Sequence, residues 1–213
     1  MTKNSKNKAL TAEEQAKLTP GKVIEVLRQG NVDFINNRLT VMNNMERVRE
    51  VVNGQFPMAV ILSCLDSRVP VEDIFHCGLG DLFVARVAGN VVNTDILGSM
   101  EYACSVLGAK LIVVLGHENC GAIVSAIAGF ELGHFSGVLN KIKPTVKKCQ
   151  IEYAGEATPS EPLFVKKVCL ANIAQMVTEI RMNSPVLKAM EENGNIKITG
   201  AYYDLHNGEV AFL

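Results

Sequence analysis

Pro57-Met58-Ala59-Val60-Ile61-Leu62-Ser63 is a short run with almost no polar residue, and Leu111-Ile112-Val113-Val114-Leu115 is a second. A strand wetted on one face alternates apolar with polar side chains, whereas a strand covered on both faces reads as an unbroken apolar stretch. Both runs are therefore expected to be interior strands of a sheet layered between helices. Leu82 to Val87, closed by Gly89-Asn90, supplies another strand between them.

The segments around these strands carry helical spacing. After the punctuation Leu18-Thr19-Pro20-Gly21, the residues Val23, Val26, Leu27 and Phe34 mark an amphipathic helix over 22–36, and 42–53 is a weaker one ended by Gly54. Pro70 to Phe75 fits a short helix, Gly78-Leu79-Gly80 a turn, and 95–107 a helix stopped by Gly108. Gly116-His117 is expected to end the strand begun at Leu111, and Asn119 is placed to cap a helix over 121–128. The stretch 136–150 reads as helical in part, broken or kinked at Pro144, with Lys141, Lys143, Lys147 and Lys148 on a solvated face. Residues 162–193 hold a long helix interrupted near Ser184-Pro185, and 196–213 closes the chain as a hairpin turning at Asn207-Gly208. This alternation predicts an α/β fold: a mostly parallel central sheet with an antiparallel edge, flanked by helices.

At 213 residues, 48% hydrophobic and 20% charged, the chain is expected to form a single domain over 1–213, with 1–18 a polar, flexible lead. A formal net charge of -1 lacks the electrostatic footprint of a nucleic-acid binder, so a small molecule is the expected partner. The start MTKNSKNKAL has no apolar core and no later run reaches transmembrane length, which predicts a cytoplasmic protein without membrane attachment. A processed secreted form would have the same composition. Six cysteines spread over strand-like and helix-like segments do not form the dense framework of a small secreted domain, so reduced thiols are expected. Of these, Cys77, Cys104, Cys149 and Cys169 have no metal-ligand partner nearby in the sequence. Cys104 shares a helical stripe with Ile96, Met100 and Leu107, so packing is its expected role. His76, His134 and His206 fall in turns or at helix ends, where a solvated or locally bonded imidazole is expected.

The chemistry lies where the two apolar runs end. Cys64-Leu65-Asp66-Ser67-Arg68 follows one, and His117-Glu118-Asn119-Cys120 completes the other. Both fall beyond strand carboxyl ends, the edge at which open parallel sheets form ligand crevices. Two thiolates and an imidazole are a zinc donor set, and three protein ligands leave one position for chemistry. Asp66 has two readings. As a fourth ligand it closes the site, whereas paired to Arg68 it leaves that position to water. Zinc lowers the pKa of bound water to about 7, making hydroxide available to attack an electrophilic carbon. An Asp66 held by Arg68 would accept a hydrogen bond from that hydroxide and orient it.

Cys64-x-Asp66-x-Arg68 with His117-x-x-Cys120-Gly121 resembles the signature of the β-class carbonic anhydrases. The likeness runs from Gly54 to Ala126, through Gly54-Gln55, Asp81-Leu82-Phe83-Val84 and Met100-Glu101-Tyr102-Ala103. It implies reversible hydration of carbon dioxide to bicarbonate and a proton, on one zinc ion per chain held by Cys64, His117 and Cys120. It also implies a homodimer or higher homo-oligomer, with amphipathic N-terminal helices packing on the neighbour. Gln55, Phe83 and Tyr102 match the family's substrate-pocket positions, the latter two contributed across the dimer interface, and the Gly121 N–H would face a substrate oxygen. An amide such as Gln55 in an apolar pocket needs a hydrogen-bond partner, which bicarbonate provides. Some members carry an inhibitory bicarbonate site built from a Trp, an Arg and a Tyr. Here Ile61 stands at the Trp position, Arg86 and Tyr203 match the other two, and the chain has no Trp. Gln55 and the absent Trp favour water on zinc and Asp66 on Arg68. Two other readings compete: a hydrolase of carbon disulfide or carbonyl sulfide on the same scaffold, and a binding or sensor module with a structural zinc. The second has no need of an Arg-held carboxylate, whose burial is costly.

Overall fold

The computed structural model describes residues 8–213. Its strands are β1 (Ala59–Ser63), β2 (Leu82–Arg86), β3 (Leu111–His117), β4 (Lys197–Tyr203) and β5 (Val210–Phe212). They form one sheet in the order β2-β1-β3-β4-β5. Neighbours are parallel except β4 and β5, which make the antiparallel edge. The chain leaves β1 toward β2 on one side and returns to β3 on the other. The gap between the carboxyl ends of β1 and β3 is therefore a topological switch point, where ligands bind in sheets of this kind.

The helices are α1 (Ala12–Ala16), α2 (Pro20–Ile35), α3 (Asn44–Val51), α4 (Val71–Ile74), α5 (Thr94–Glu101), α6 (Gly121–Ile127), α7 (Phe135–Glu152), α8 (Pro162–Asn183) and α9 (Pro185–Glu192). Every residue of β1 and β3 is buried, as expected of strands covered on both faces. Val60, Leu62, Ile112, Val114 and Ile198 point into a core with Met100, Ile123, Leu139, Phe164 and Ile173. Ala59, Ile61, Leu111, Val113 and Ala201 point the other way, onto Val23 and Leu27 of α2 and onto Ile74 and Phe75. The α8 helix lies very close to the sheet. A Cβ at Gly116 or Gly200 would come within 2.6 or 2.4 Å of the Ile173 side chain, so only glycine fits either strand position.

Several local expectations change. Residues 1–7 of the polar lead lie outside the described residues, but Ala12–Ala16 is a helix with a Thr11–Glu14 capping box. Gln15 there is buried, and its amide donates to the carbonyls of Pro57 and Leu107 at 2.8 Å each. The α7 helix runs unbroken through Pro144. Pro144 lies on its exposed side and deprives only the exposed Asn140 carbonyl of a donor, while buried Leu139, Ile142, Val146 and Cys149 anchor the opposite face. The helix expected over 95–107 is α-helical to Glu101 and then widens into a π turn over Tyr102–Val106. The strand β3 extends through Gly116 to His117. Cys120, not Asn119, occupies the cap position of α6, because Asn119 adopts a left-handed φ of 49°. His76 is neither solvated nor local: it is buried, accepts from the Thr40 N–H at 2.8 Å and lies 3.2 Å from Asp33.

One polar link joins α8, α9 and β4. Arg181 donates to Glu191 Oε2 at 2.7 Å and Oε1 at 2.9 Å, and to the Ile198 carbonyl at 2.9 Å, while the Ile198 N–H donates to Glu191 Oε1 at 2.9 Å. Burial by itself would raise the Glu191 pKa, but these hydrogen bonds outweigh it and hold the carboxyl below its ordinary range. A lowered folded-state pKa gives stability that is complete above the unfolded-state value and is lost as pH falls through the folded one. Glu191→Gln is expected to cost roughly 1 kcal/mol at neutral pH, the guanidinium being partly exposed. That corresponds to a Tm lower by about 2–4 °C for a chain of this length. In calorimetry the difference from wild type should shrink at strongly acid pH, where both carry a neutral side chain.

Candidate metal centre

The carboxyl ends of β1 and β3 deliver the three donors. Ser63 pairs with Leu115, so Cys64 leaves one strand beside the last two residues of the other. All three side chains are buried, and their ligand atoms lie within 4.8 Å of one another. The Cys64 and Cys120 sulfurs are 3.9 Å apart. His117 Nδ1 lies 2.8 Å from the Glu118 carbonyl, which makes Nδ1 the protonated nitrogen and leaves Nε2 with its lone pair. That Nε2 is buried without a hydrogen-bond partner. An unpartnered buried imidazole nitrogen within 4.8 Å of two thiol sulfurs is costly unless something binds there, and a tetrahedral cation uses all three donors. The set therefore fits zinc, one ion per chain.

The protons agree with this. The hydrogen bond from Cys120 is the main cause that lowers Cys64 to a pKa of about 4, and the same contact together with burial pushes Cys120 up. Thiolates are the form in which both sulfurs would bind a cation, so metal binding here would release protons. Cys104 and Cys169 are raised to about 12 by burial, as packing thiols should be. Cys169 does more than pack, because its thiol lies 3.4 Å from the carbonyl of His117 and donates to it. No sequence spacing links those two residues.

Asp66 is turned to Arg68. The guanidinium donates from Nε to Oδ1 at 2.9 Å and from its terminal nitrogen to Oδ2 at 2.7 Å, and the Arg68 backbone N–H adds a bond of 2.9 Å. The Arg68 side chain is the chief cause that holds the Asp66 carboxyl at a pKa of about 2. Its Oδ2 also stands 3.9 Å from His117 Nε2, beside the donor set. Arg68 reaches the Asn119 carbonyl at 3.3 Å, joining the two metal-binding loops, and the left-handed turn at Asn119 presents that oxygen. Arg86, opposite Ser63 on β2, binds the carbonyls of Cys64 at 3.0 Å and Asp66 at 2.5 Å. Ile61 is buried in the core and Tyr203 ends β4, also buried.

The remaining site residues separate into two groups. Gly121 is the first residue of α6, directly after Cys120, and is exposed with nothing within 4 Å of where a Cβ would stand. Gln55, Phe83 and Tyr102 lie elsewhere. Phe83 is paired with Val60, roughly 13 Å along the strand direction from Cys64 at about 3.3 Å per residue. Gln55 precedes β1, and Tyr102 begins the turn that leads back to the start of β3, so both lie toward the amino ends of the strands. Gln55 is exposed, Tyr102 is 56% exposed, and Phe83 is half-buried. The chain does not bring these three to its own Cys64, His117 and Cys120.

Comparison with known proteins places this arrangement in context. The family model for carbonic anhydrase matches residues 59–210. Carbonic anhydrase 2 of Mycobacterium tuberculosis is 34% identical over 190 residues, covering 86% of this chain and 88% of that protein. The carbonic anhydrase of Mycolicibacterium smegmatis is 35% identical over 196 residues, covering 87% and 89%. Among solved structures, a tetrameric β-carbonic anhydrase of Sordaria macrospora superposes with a TM-score of 0.71 at 27% identity, covering 80% of this chain and 87% of that one. The match spans β1 to β4, both metal-binding loops and α6 to α9, and with a donor set fit for one zinc ion it establishes that the chain belongs to the β-class of the carbonic anhydrase family, enzymes that reversibly hydrate carbon dioxide to bicarbonate.

Proposed function

We propose that the chain performs carbon dioxide hydration with Asp66 held on Arg68 as the orienting acceptor, in a substrate pocket that a second copy of the chain completes. Cys64, His117 and Cys120 would hold the zinc, which when bound would supply Lewis acidity enough to lower the pKa of a water to about 7 and make an oxygen nucleophile available at neutral pH. The bidentate Arg68 contact is the observation that carries the reading, since it keeps Asp66 ionised and engaged with the guanidinium, beside the donor set. An ionised carboxylate only accepts hydrogen bonds, so Asp66 fixes the direction in which a neighbouring O–H points and leaves the oxygen's other lone pair free for carbon. The exposed Gly121 N–H stands next to Cys120 as a donor for a substrate oxygen. Asp66 thus sets the orientation of the nucleophile, and Gly121 anchors an oxygen of the product bicarbonate.

The location of Gln55, Phe83 and Tyr102 supports assembly. Residues at the far end of the sheet serve a pocket only if a neighbour presents them, and a two-fold axis makes that exchange reciprocal. The exposure of Tyr102 and the half-exposed edge strand β2 agree with a covered face. The N-terminal helices α1 and α2 are read as part of the same contact, and a dimer as the smallest unit. Six free cysteines, all buried, support a reducing cytoplasmic setting.

Asp66→Asn is expected to lower kcat/KM for carbon dioxide hydration by about 10–100-fold while zinc content stays at one per chain, measured by stopped flow and metal analysis. Cys64→Ser and His117→Ala are expected to lose zinc, and full retention by either would refute the ligand assignment. Mixing Asp66→Asn with Gln55→Ala chains tests the shared pocket. If Gln55 acts across the interface, each hybrid dimer has one intact site, and activity returns to about one quarter of wild type for statistical mixing. If the mixture shows only the average of its two inactive parents, Gln55 does not act in trans.

A further inference from the structure

A buried amide stands behind the metal centre without any part in the chemistry described above. Asn172, in the middle of α8, is 1% exposed. Its Nδ2 donates to the Gly89 carbonyl at 3.0 Å, and its Oδ1 has no hydrogen-bond partner. As packing alone this is a poor choice, because a leucine would fill the same space without burying an unpaired oxygen. Gly89 belongs to the tight turn Ala88–Asn90 at the end of β2, and its N–H donates to Cys64 Sγ at 3.4 Å. That geometry is demanding. Gly89 has φ of 66°, and a Cβ there would stand 2.7 Å from Ile142 and 3.2 Å from Ala122. One peptide turn thus carries the amide that touches a zinc ligand and the carbonyl that Asn172 holds.

The rest of the same stripe of α8 supports the loops from behind. Cys169 donates to the His117 carbonyl, Ile173 presses on Gly116, and Met176 Sδ accepts from the Val92 N–H at 3.2 Å. Positions 169, 172, 173 and 176 follow the helical repeat, so one face of α8 contacts the end of β3 and the turn that follows β2. Hydrogen bonds donated to a metal-bound thiolate withdraw charge from the sulfur, and partners of this outer kind tune the metal's acidity. We propose that Asn172 is a positioning residue for the metal centre: by holding the Gly89 carbonyl it aims the Gly89 N–H at Cys64 and limits the charge that this sulfur donates to the metal. The inference rests on Cys64 as a zinc ligand.

The test uses the full-length protein loaded with cobalt, whose sulfur-to-metal charge-transfer absorption reports thiolate donation directly. In Asn172→Leu the band is expected to move to lower energy, and the acid limb of the pH–rate profile of the zinc enzyme to move upward by about half a pH unit or more. Phe164→Leu, a core substitution on α8 away from Gly89, is expected to lower Tm and leave both readouts in place. An unmoved band and profile in Asn172→Leu would show a purely structural role and overturn the inference. If Asn172→Leu does not fold, the wild-type protein loaded with NMR-active cadmium decides. Scalar coupling between the metal and the Gly89 amide proton supports the relay, and a rapidly exchanging, uncoupled Gly89 amide refutes it. A wild-type protein that fails to bind one cobalt ion per chain would instead count against the ligand assignment itself.

Discussion

The parallel pairing of β1 with β3 is the constraint on which the site depends. With Ser63 opposite Leu115, the two strands release Cys64 and His117 at the same edge and bring Cys120 within reach one turn later. A slip of one residue would reverse the faces of every side chain on β1 and send the Cys64 sulfur to the side of α2. Burial on both faces forbids that slip, since Val60 and Leu62 would exchange places with Ala59 and Ile61 in two differently filled cores. The hydrophobic layers thus specify the metal geometry, and Cys64 and Cys120 are themselves members of one of them.

Around that edge each polar group answers a need created by another. The two sulfurs stand 3.9 Å apart, His117 presents an unpaired nitrogen, and Asp66 is kept ionised by Arg68. Arg86 and Arg68 then tie the loops together through carbonyl oxygens, so that cationic side chains brace a site rich in negative charge. A zinc ion held there would complete this balance by neutralising the thiolates and using the imidazole. In the role proposed for Asp66, preorganisation of this kind would hold the carboxylate in place without reorganisation during the reaction.

Some of this was legible in the chain. The strands β1 and β3 read clearly because covering both faces removes the polar alternation, and the hairpin of β4 and β5 announced itself through Asn207-Gly208. Other features depended on surroundings. Pro144 reads as a helix breaker, yet the buried side of α7 carries the helix past it. Asn119 has the chemistry of a cap, but the turn needed to bring Cys120 inward takes it into the left-handed region. The π turn after Glu101 leaves no mark in the hydrophobic spacing, which continues through Met100, Ala103 and Cys104.

The sequence by itself determined the donor types, their places after two apolar runs and the α/β class, because these depend on local spacing and on the chemistry of single side chains, whereas which way Asp66 turns was seen only in the folded chain. Tertiary structure decided which groups stand behind and beside the metal centre. Asn172 and Gly89 are 83 residues apart, and Cys169 and His117 are 52 apart; neither pair has a local pattern that announces it. The position of Gln55, Phe83 and Tyr102 away from their own chain's zinc donors was likewise a matter of strand register, not of spacing. Periodicity records which face of an element is buried, whereas the partner it meets there is chosen only when the layers pack.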